Sequence, residues 1–215
     1  VSVQGAWKIA GRILFRLYFR VRIVGRANLP REGGFIVAPN HVSNLDPPLV
    51  GVEIRRYHTT LGKRELFRSR FTMVIFRQWG GIPVDRGHPG RELVADLVER
   101  LRAGGGLLLF PEGTRSRTGR LGEAHRGIAL LALAAGVPII PTFVAGSRRA
   151  MPPGSYFPRP RRITVTFGAP IWPEDFTHRV DRNGRPVNER RVQKEMTDTV
   201  MAAIRRLAED QGVEV

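Results

Sequence analysis

The sequence predicts an α/β fold: a mixed, mostly parallel sheet flanked by helices, preceded by an N-terminal amphipathic helix suited to a membrane interface. Three observations point there. Apolar runs of strand length alternate with segments of helical spacing along most of the chain. One such segment, Leu93, Val94, Leu97, Val98 and Leu101, has clear helical periodicity and stops at Gly104-Gly105-Gly106. The first twenty residues set Lys8, Arg12, Arg16 and Arg20 at every fourth position, opposite a broad apolar arc. A chain of 215 residues holds one full core rather than two. The expected division is therefore the helix, residues 1–20, and a single domain, residues 21–215.

Taken in order, the first element is a helix over residues 3–20. Ala6, Trp7, Ala10, Ile13, Leu14, Leu17 and Tyr18 fill its apolar arc, and Phe15 and Phe19 widen it. A wholly cationic polar face with so many aromatics fits a helix lying in lipid, its apolar bulk in the bilayer and its arginines at the headgroups. The same pattern also serves an amphipathic helix docked on its own domain. Strands are expected at 21–24, 34–38, 58–62, 81–84, 107–110, 139–144 and 163–167, and helices at 48–55, 64–79, 91–103, 127–135 and 189–210. Pro138 and Pro141 bracket Ile139-Ile140, which predicts an edge or irregular strand there. The Pro- and Arg-rich stretch 147–162 reads as a loop. No apolar run reaches the roughly 18 residues of a membrane-spanning helix. Basic residues interrupt the N-terminal apolar run, unlike a cleaved signal peptide. The chain begins at Val1 without a methionine, which fits a short segment lying upstream.

Composition narrows the chemistry. The apolar fraction, 42%, is ordinary, but 35 Lys and Arg against 19 Asp and Glu give a net charge of +16. Such a surface attracts polyanions: nucleic acid, anionic lipid headgroups or phosphorylated substrates. With no cysteine, thiol nucleophiles, disulfides and thiolate metal sites are excluded. The histidines have no metal-ligand spacing with acidic partners, so no metal site is expected. No aromatic RNA-binding strand, zinc knuckle or recognition helix accompanies the charge, so a nucleic-acid-binding module rests on charge alone.

Two segments carry the chemistry. In Asn40-His41-Val42-Ser43-Asn44-Leu45-Asp46, a histidine and an aspartate stand five residues apart at a strand-to-helix turn. Histidine can remove a hydroxyl proton near neutral pH, and a neighbouring carboxylate can fix its tautomer and stabilise the imidazolium. Asp46-Pro47 reads as a helix start, with Asp46 as N-cap and Pro47 at the first helical position. By itself, this spacing equally describes a capping aspartate beside a surface histidine. In Phe110-Pro111-Glu112-Gly113-Thr114-Arg115-Ser116, an apolar strand ends in a loop. Gly113 permits a tight backbone path there, and Arg115 offers a planar donor fork for phosphate.

These residues resemble the glycerolipid acyltransferases, the family that includes bacterial 1-acylglycerol-3-phosphate acyltransferase. The family pattern is His, any four residues, Asp, then some seventy residues later Phe-Pro-Glu-Gly-Thr-Arg-Ser. Gly80-Gly81-Ile82-Pro83-Val84-Asp85-Arg86 resembles its second motif, with Pro83 where an aromatic is common. Lys63-Arg64-Glu65-Leu66 resembles its Lys-x-Glu-Leu segment, and Val137-Pro138-Ile139-Ile140-Pro141 its fourth motif. Arg126-Gly127 stands where the family carries Lys-Gly. The resemblance spans about residues 35–170.

It implies an O-acyltransferase that moves a fatty acyl group from a thioester to the free sn-2 hydroxyl of 1-acylglycerol-3-phosphate, forming phosphatidic acid. Another lyso-lipid or glycerol-3-phosphate is the alternative acceptor. His41 would be the general base and Asp46 its orienting group. Glu112, Gly113, Thr114, Arg115, Arg86 and Lys63 would hold the acceptor phosphate. The donor would be acyl-CoA or acyl carrier protein, used as co-substrate with no bound cofactor. With no cysteine and no Gly-x-Ser-x-Gly elbow, no covalent acyl-enzyme is required, and nothing marks Ser43 as a nucleophile. The expected location is the cytoplasmic face of the cell membrane, as a peripheral or monotopic protein on an anionic lipid surface.

Overall fold

The computed structural model describes residues 3–67, 73, 80–84, 90–155, 157–177 and 188–215. Its strands are β1 (Arg22–Val24), β2 (Phe35–Pro39), β3 (His58–Lys63), β4 (Gly81–Val84), β5 (Gly106–Leu108), β6 (Ile139–Ala145) and β7 (Thr164–Phe167). Its α-helices are α1 (Val3–Phe19), α2 (Asp46–Glu53), α3 (Arg91–Arg102), α4 (Gly127–Ala135), α5 (Ser147–Ala150), α6 (Glu174–Thr177) and α7 (Glu189–Glu209). The helix expected over 64–79 starts as a 3-10 turn, Arg64–Phe67, and nearly all its remainder lies outside the described residues.

The strands form one sheet in the order β1-β7-β6-β2-β5-β3-β4. Every neighbouring pair is parallel except β6 and β7, so the sheet is mixed and mostly parallel, as expected. β2, buried along its whole length, sits between β5 and β6. On one face α2 and the end of α1 bury Leu49, Val50, Ile54 and Phe19 against Phe35 and Val37. On the other, α3, α4 and α7 bury Leu97, Leu101, Ile128, Met196 and Ile204 against Ile36 and Leu107.

This layering creates a crevice. The chain leaves β2 into α2 on one face, whereas β5 leads into α4 on the opposite face. Adjacent parallel strands whose connections depart in opposite directions open a gap at their carboxyl ends, the usual ligand position in open α/β sheets. The histidine segment follows β2 and the glycine loop follows β5. Topology alone therefore brings the two segments together.

Of the two expectations for β6, an edge or an irregular strand, the first does not hold: it lies inside the sheet, but its pairing on one side is broken between Ile171 and β7. The N–H of Ile139 donates to the Ile171 carbonyl, so the nitrogen of Pro141, two residues on, faces the same side. There Gly168 donates to the Pro141 carbonyl and nothing requires a donor from Pro141 itself. The proline occupies a gap between two short stretches of pairing. Strand β5 also ends earlier than expected, at Leu108, and Leu109-Phe110 already belongs to the outgoing loop.

α1 is docked on α2 with its cations, expected at lipid headgroups, turned toward the protein. Lys8, 5% exposed, donates to the Arg56 carbonyl at 2.6 Å and lies 3.0 Å from His58 Nδ1. Arg12 donates to the Val52 carbonyl, and Arg16 and Arg26 converge on the buried carboxylate of Glu53. The apolar arc faces outward: Trp7, Ile9, Ile13, Leu14, Leu17 and Tyr18 are exposed. The cause is local. Val52 in the last turn of α2 and Arg56 just beyond it offer carbonyls to Arg12 and Lys8, and the charge of Glu53 draws Arg16 and Arg26. Arg20 then takes φ 49, the left-handed conformation that ends α1 and turns the chain into β1.

Candidate active site

His41 leaves the carboxyl end of β2 and turns back over it. Its Nδ1 lies 3.1 Å from Asp46 Oδ2. The same oxygen accepts the backbone N–H groups of Val42 and Ser43, both at 2.7 Å. Asp46 is fully buried. An ionised carboxylate only accepts, so Nδ1 carries the proton and Nε2 presents its lone pair. Three donors on one oxygen hold the imidazole in that tautomer. A second restraint is the Phe110 ring, whose centroid lies 4.2 Å from that of His41 at 31° between planes.

The expectation that Asp46 caps α2 is corrected by this geometry. The helix starts at Asp46 itself, with Leu45 at the cap position and the prolines in the first turn. The carboxylate points back to the residues that precede the helix, not forward to its amides. It shapes the histidine turn.

The glycine loop is stitched to the histidine segment at three points. The N–H of Ser116 donates to the His41 carbonyl at 2.8 Å. The N–H of His41 donates to Glu112 Oε1 at 3.0 Å, and Arg115 donates to Asn44 Oδ1 at 2.7 Å. Glu112 also takes the N–H of Gly122 on Oε2 at 2.8 Å. Glu112 is buried, and both its oxygens are engaged by the backbone. It was expected among the phosphate ligands; in this structure its two oxygens brace the crevice through the backbone. Removing it would strand two N–H groups, each costing about 1–3 kcal/mol if left buried.

Gly113 and Thr114 are exposed at the tip of the loop. Gly113 has φ 65, and a Cβ there would come within 2.9 Å of the His125 ring. The glycine thus permits both the left-handed turn and the close ring. Arg115 is partly buried, its guanidinium held across the crevice by Asn44. Lys63 ends β3 at the same carboxyl edge, half-buried and 3.3 Å from Glu65. Since β5 lies between β3 and β2, Lys63 is about 10 Å further along the edge from His41's strand. Arg86 lies outside the described residues.

Four contributors were not assigned roles from sequence. Asn40 donates its side-chain amide to the Val144 carbonyl and accepts the Val144 N–H at 2.7 Å, tying β2 to β6 just before His41. Asn44 anchors Arg115, Phe110 stacks on His41, and His125 rests against Gly113. The first three lie inside the two matched motifs, which is the signal that could have found them. His125 offered none. Among the described residues, no group of three or more His, Asp or Glu side chains converges as a metal site.

At the switch point of the α/β sheet, a histidine held by a buried carboxylate thus stands beside a cation-bearing loop. A sequence model of the acyltransferase family matches residues 20–145. The chain belongs to the acyltransferase family. It is similar to the 1-acyl-sn-glycerol-3-phosphate acyltransferase of Bacillus subtilis (strain 168), 26% identical over 168 residues, covering 78% of this chain and 81% of that protein. The Limnanthes douglasii protein of the same name is 29% identical over 175 residues, covering 79% of this chain but 60% of that one. The crystal structure of the 1-acyl-sn-glycerophosphate (LPA) acyltransferase PlsC from Thermotoga maritima superposes with a TM-score of 0.75 at 23% identity. That likeness of fold covers 95% of this chain and 79% of the Thermotoga chain.

Proposed function

We propose that the protein transfers a fatty acyl group from an acyl-CoA or acyl carrier protein thioester to the sn-2 hydroxyl of 1-acylglycerol-3-phosphate, yielding phosphatidic acid. The observation that carries this reading is the Asp46–His41 bond with the Arg115 loop stitched across it. His41 Nε2 takes the hydroxyl proton as the oxygen attacks the thioester carbonyl carbon. Asp46 stabilises the resulting imidazolium. Collapse of the tetrahedral intermediate breaks the C–S bond, and the imidazolium returns its proton to the departing thiolate.

Arg115 grips the acceptor phosphate, with Gly113 and Thr114 offering backbone and hydroxyl donors, and Lys63 and Arg86 adding charge further along the edge. Fixing the phosphate fixes the hydroxyl against Nε2, so binding energy becomes orientation. No bound cofactor is needed for these steps. The outward apolar face of α1 supports work at a bilayer on the cytoplasmic side, where both lipid substrates reside. Among the described residues no helix is long and apolar enough to cross a membrane.

His41→Ala tests the assignment. Acyl transfer, followed by mass spectrometry of the lipid product, is expected to vanish while the thermal transition is preserved. Turnover within tenfold of the parent protein would remove His41 from the mechanism.

A further inference from the structure

We propose that the loop from Met151 to Arg162 is a second membrane-seating element. It drives Phe157 into an anionic bilayer beside α1 and rings it with arginines at the headgroup level. Phe157 is 84% exposed, more than any residue of the α1 apolar face. Its presentation is built rather than incidental. The Ser155 hydroxyl donates to the Phe157 carbonyl at 3.0 Å, and the Ser155 N–H to the Pro152 carbonyl at 3.1 Å. Pro152, Pro153, Pro158 and Pro160 restrict the backbone on either side.

Both ends of the loop are tied to elements already described. At one end the Ser43 hydroxyl donates to the Met151 carbonyl, two residues from His41. Beyond Phe157, the Arg159 N–H donates to the Ala150 carbonyl at 2.7 Å, closing the loop on itself. Between these ties the Tyr18 hydroxyl of α1 donates to the Pro158 carbonyl at 2.9 Å. Phe157 is thus adjacent in sequence to the point where the loop meets the exposed end of α1, next to Leu17 and Tyr18. The loop links that apolar face to the catalytic turn.

Charge identifies the occupant. The sequence has no Asp or Glu before Glu32, and none between Glu123 and Glu174. The two segments that meet at Tyr18 and Pro158 therefore contain no carboxylate. Arg20, Arg22, Arg159, Arg161 and Arg162 are all exposed and lie within four residues of Tyr18 or Pro158 in the sequence. An exposed aromatic on an arginine-rich, acid-free segment suits a bilayer rich in anionic lipid. A neutral apolar protein partner would give the arginines nothing to meet.

The proposal relies on the acyl-transfer reading only for its purpose, so binding is measured without substrates. Phe157→Ser and the triple variant Arg159→Gln/Arg161→Gln/Arg162→Gln would be sedimented with phosphatidylcholine vesicles, with and without 30% phosphatidylglycerol. All these side chains are exposed, and circular dichroism checks the fold. The parent protein is expected to favour the anionic vesicles. Phe157→Ser should weaken binding to both compositions by about fivefold or more. The triple variant should weaken only the anionic component, by about tenfold or more. Vesicle binding unchanged in both variants, no binding by the parent protein, or loss only of binding to an acidic protein such as acyl carrier protein would overturn the proposal. Turnover of a short-chain, water-soluble acceptor is expected to survive both changes. Its loss from the parent protein would count against the acyl-transfer reading instead.

Discussion

At residue scale, Asp46 is the most constrained group in the site. One oxygen accepts three donors, and the other is buried without a partner among the described residues. In Asp46→Asn the amide can present its carbonyl to those donors, but its NH2 then occupies an acceptor-free interior. The expected result is a turnover loss on the order of 10⁴, as for a carboxylate that orients a catalytic histidine. A stability loss of about 1–3 kcal/mol should accompany it. Single-turnover kinetics and denaturant titration separate the two, and a change in stability alone would reduce Asp46 to a scaffold residue. From sequence, the pairing of Asp46 with His41 was legible because spacing and residue type both served it. The role of Glu112 was not. A carboxylate in an anion-binding motif looks like a ligand until its partners, two amides from distant segments, are seen.

At the scale of elements, α1 is held by a pair whose protonation is lopsided. Burial first, and the nearby Lys8 charge second, push the His58 pKa down to about 3. Its Nδ1 faces the Lys8 ammonium, so only the neutral ring is accommodated. The folded pKa lies below the unfolded value, so the unfolded chain binds the extra proton. Stability from this group is complete above about pH 6.5 and is lost as pH falls toward 3. Between pH 6.5 and 5 the loss is about 2 kcal/mol. His58→Gln should flatten that part of the curve, measured as the difference between the two proteins in urea titrations at each pH. Equal slopes would show that His58 gains its proton without unfolding. Burial first, then Arg12, likewise pulls Lys8 down to about 8, which weakens rather than reinforces the clamp at neutral pH. Helix α1 was legible as an amphipathic element, but its orientation was not. Periodicity assigns faces and leaves open which face meets the protein; the carbonyls of Val52 and Arg56 decided that.

For the whole molecule, the sheet was readable from alternation, and all seven strand positions fell within a residue or two of those observed. The interior placement of β6 was not readable. Two prolines argue for an edge, and only the offset pairing of β7 and Ile171 shows how they are accommodated. Strand order, which creates the crevice, also depends on contacts between distant segments that no local pattern encodes. The net charge of +16 acts at this same scale. Its long-range attraction for the proposed phosphate-bearing acceptor would be screened over about 8–10 Å at physiological salt. With a monomeric, short-chain acceptor, raising salt from about 0.05 to 0.5 M should increase KM severalfold and leave kcat nearly constant. A kcat that falls instead would place the salt effect in the chemical step.

The opposed departures from β2 and β5 have an engineering corollary. In the proposed mechanism one wall supplies the proton acceptor and the other the anion grip, so headgroup preference should be separable from reactivity. Replacing residues 113–115 with those of a paralogue of different preference should retune the recognised lipid, provided Glu112 and Ser116 on either side are retained as the seam.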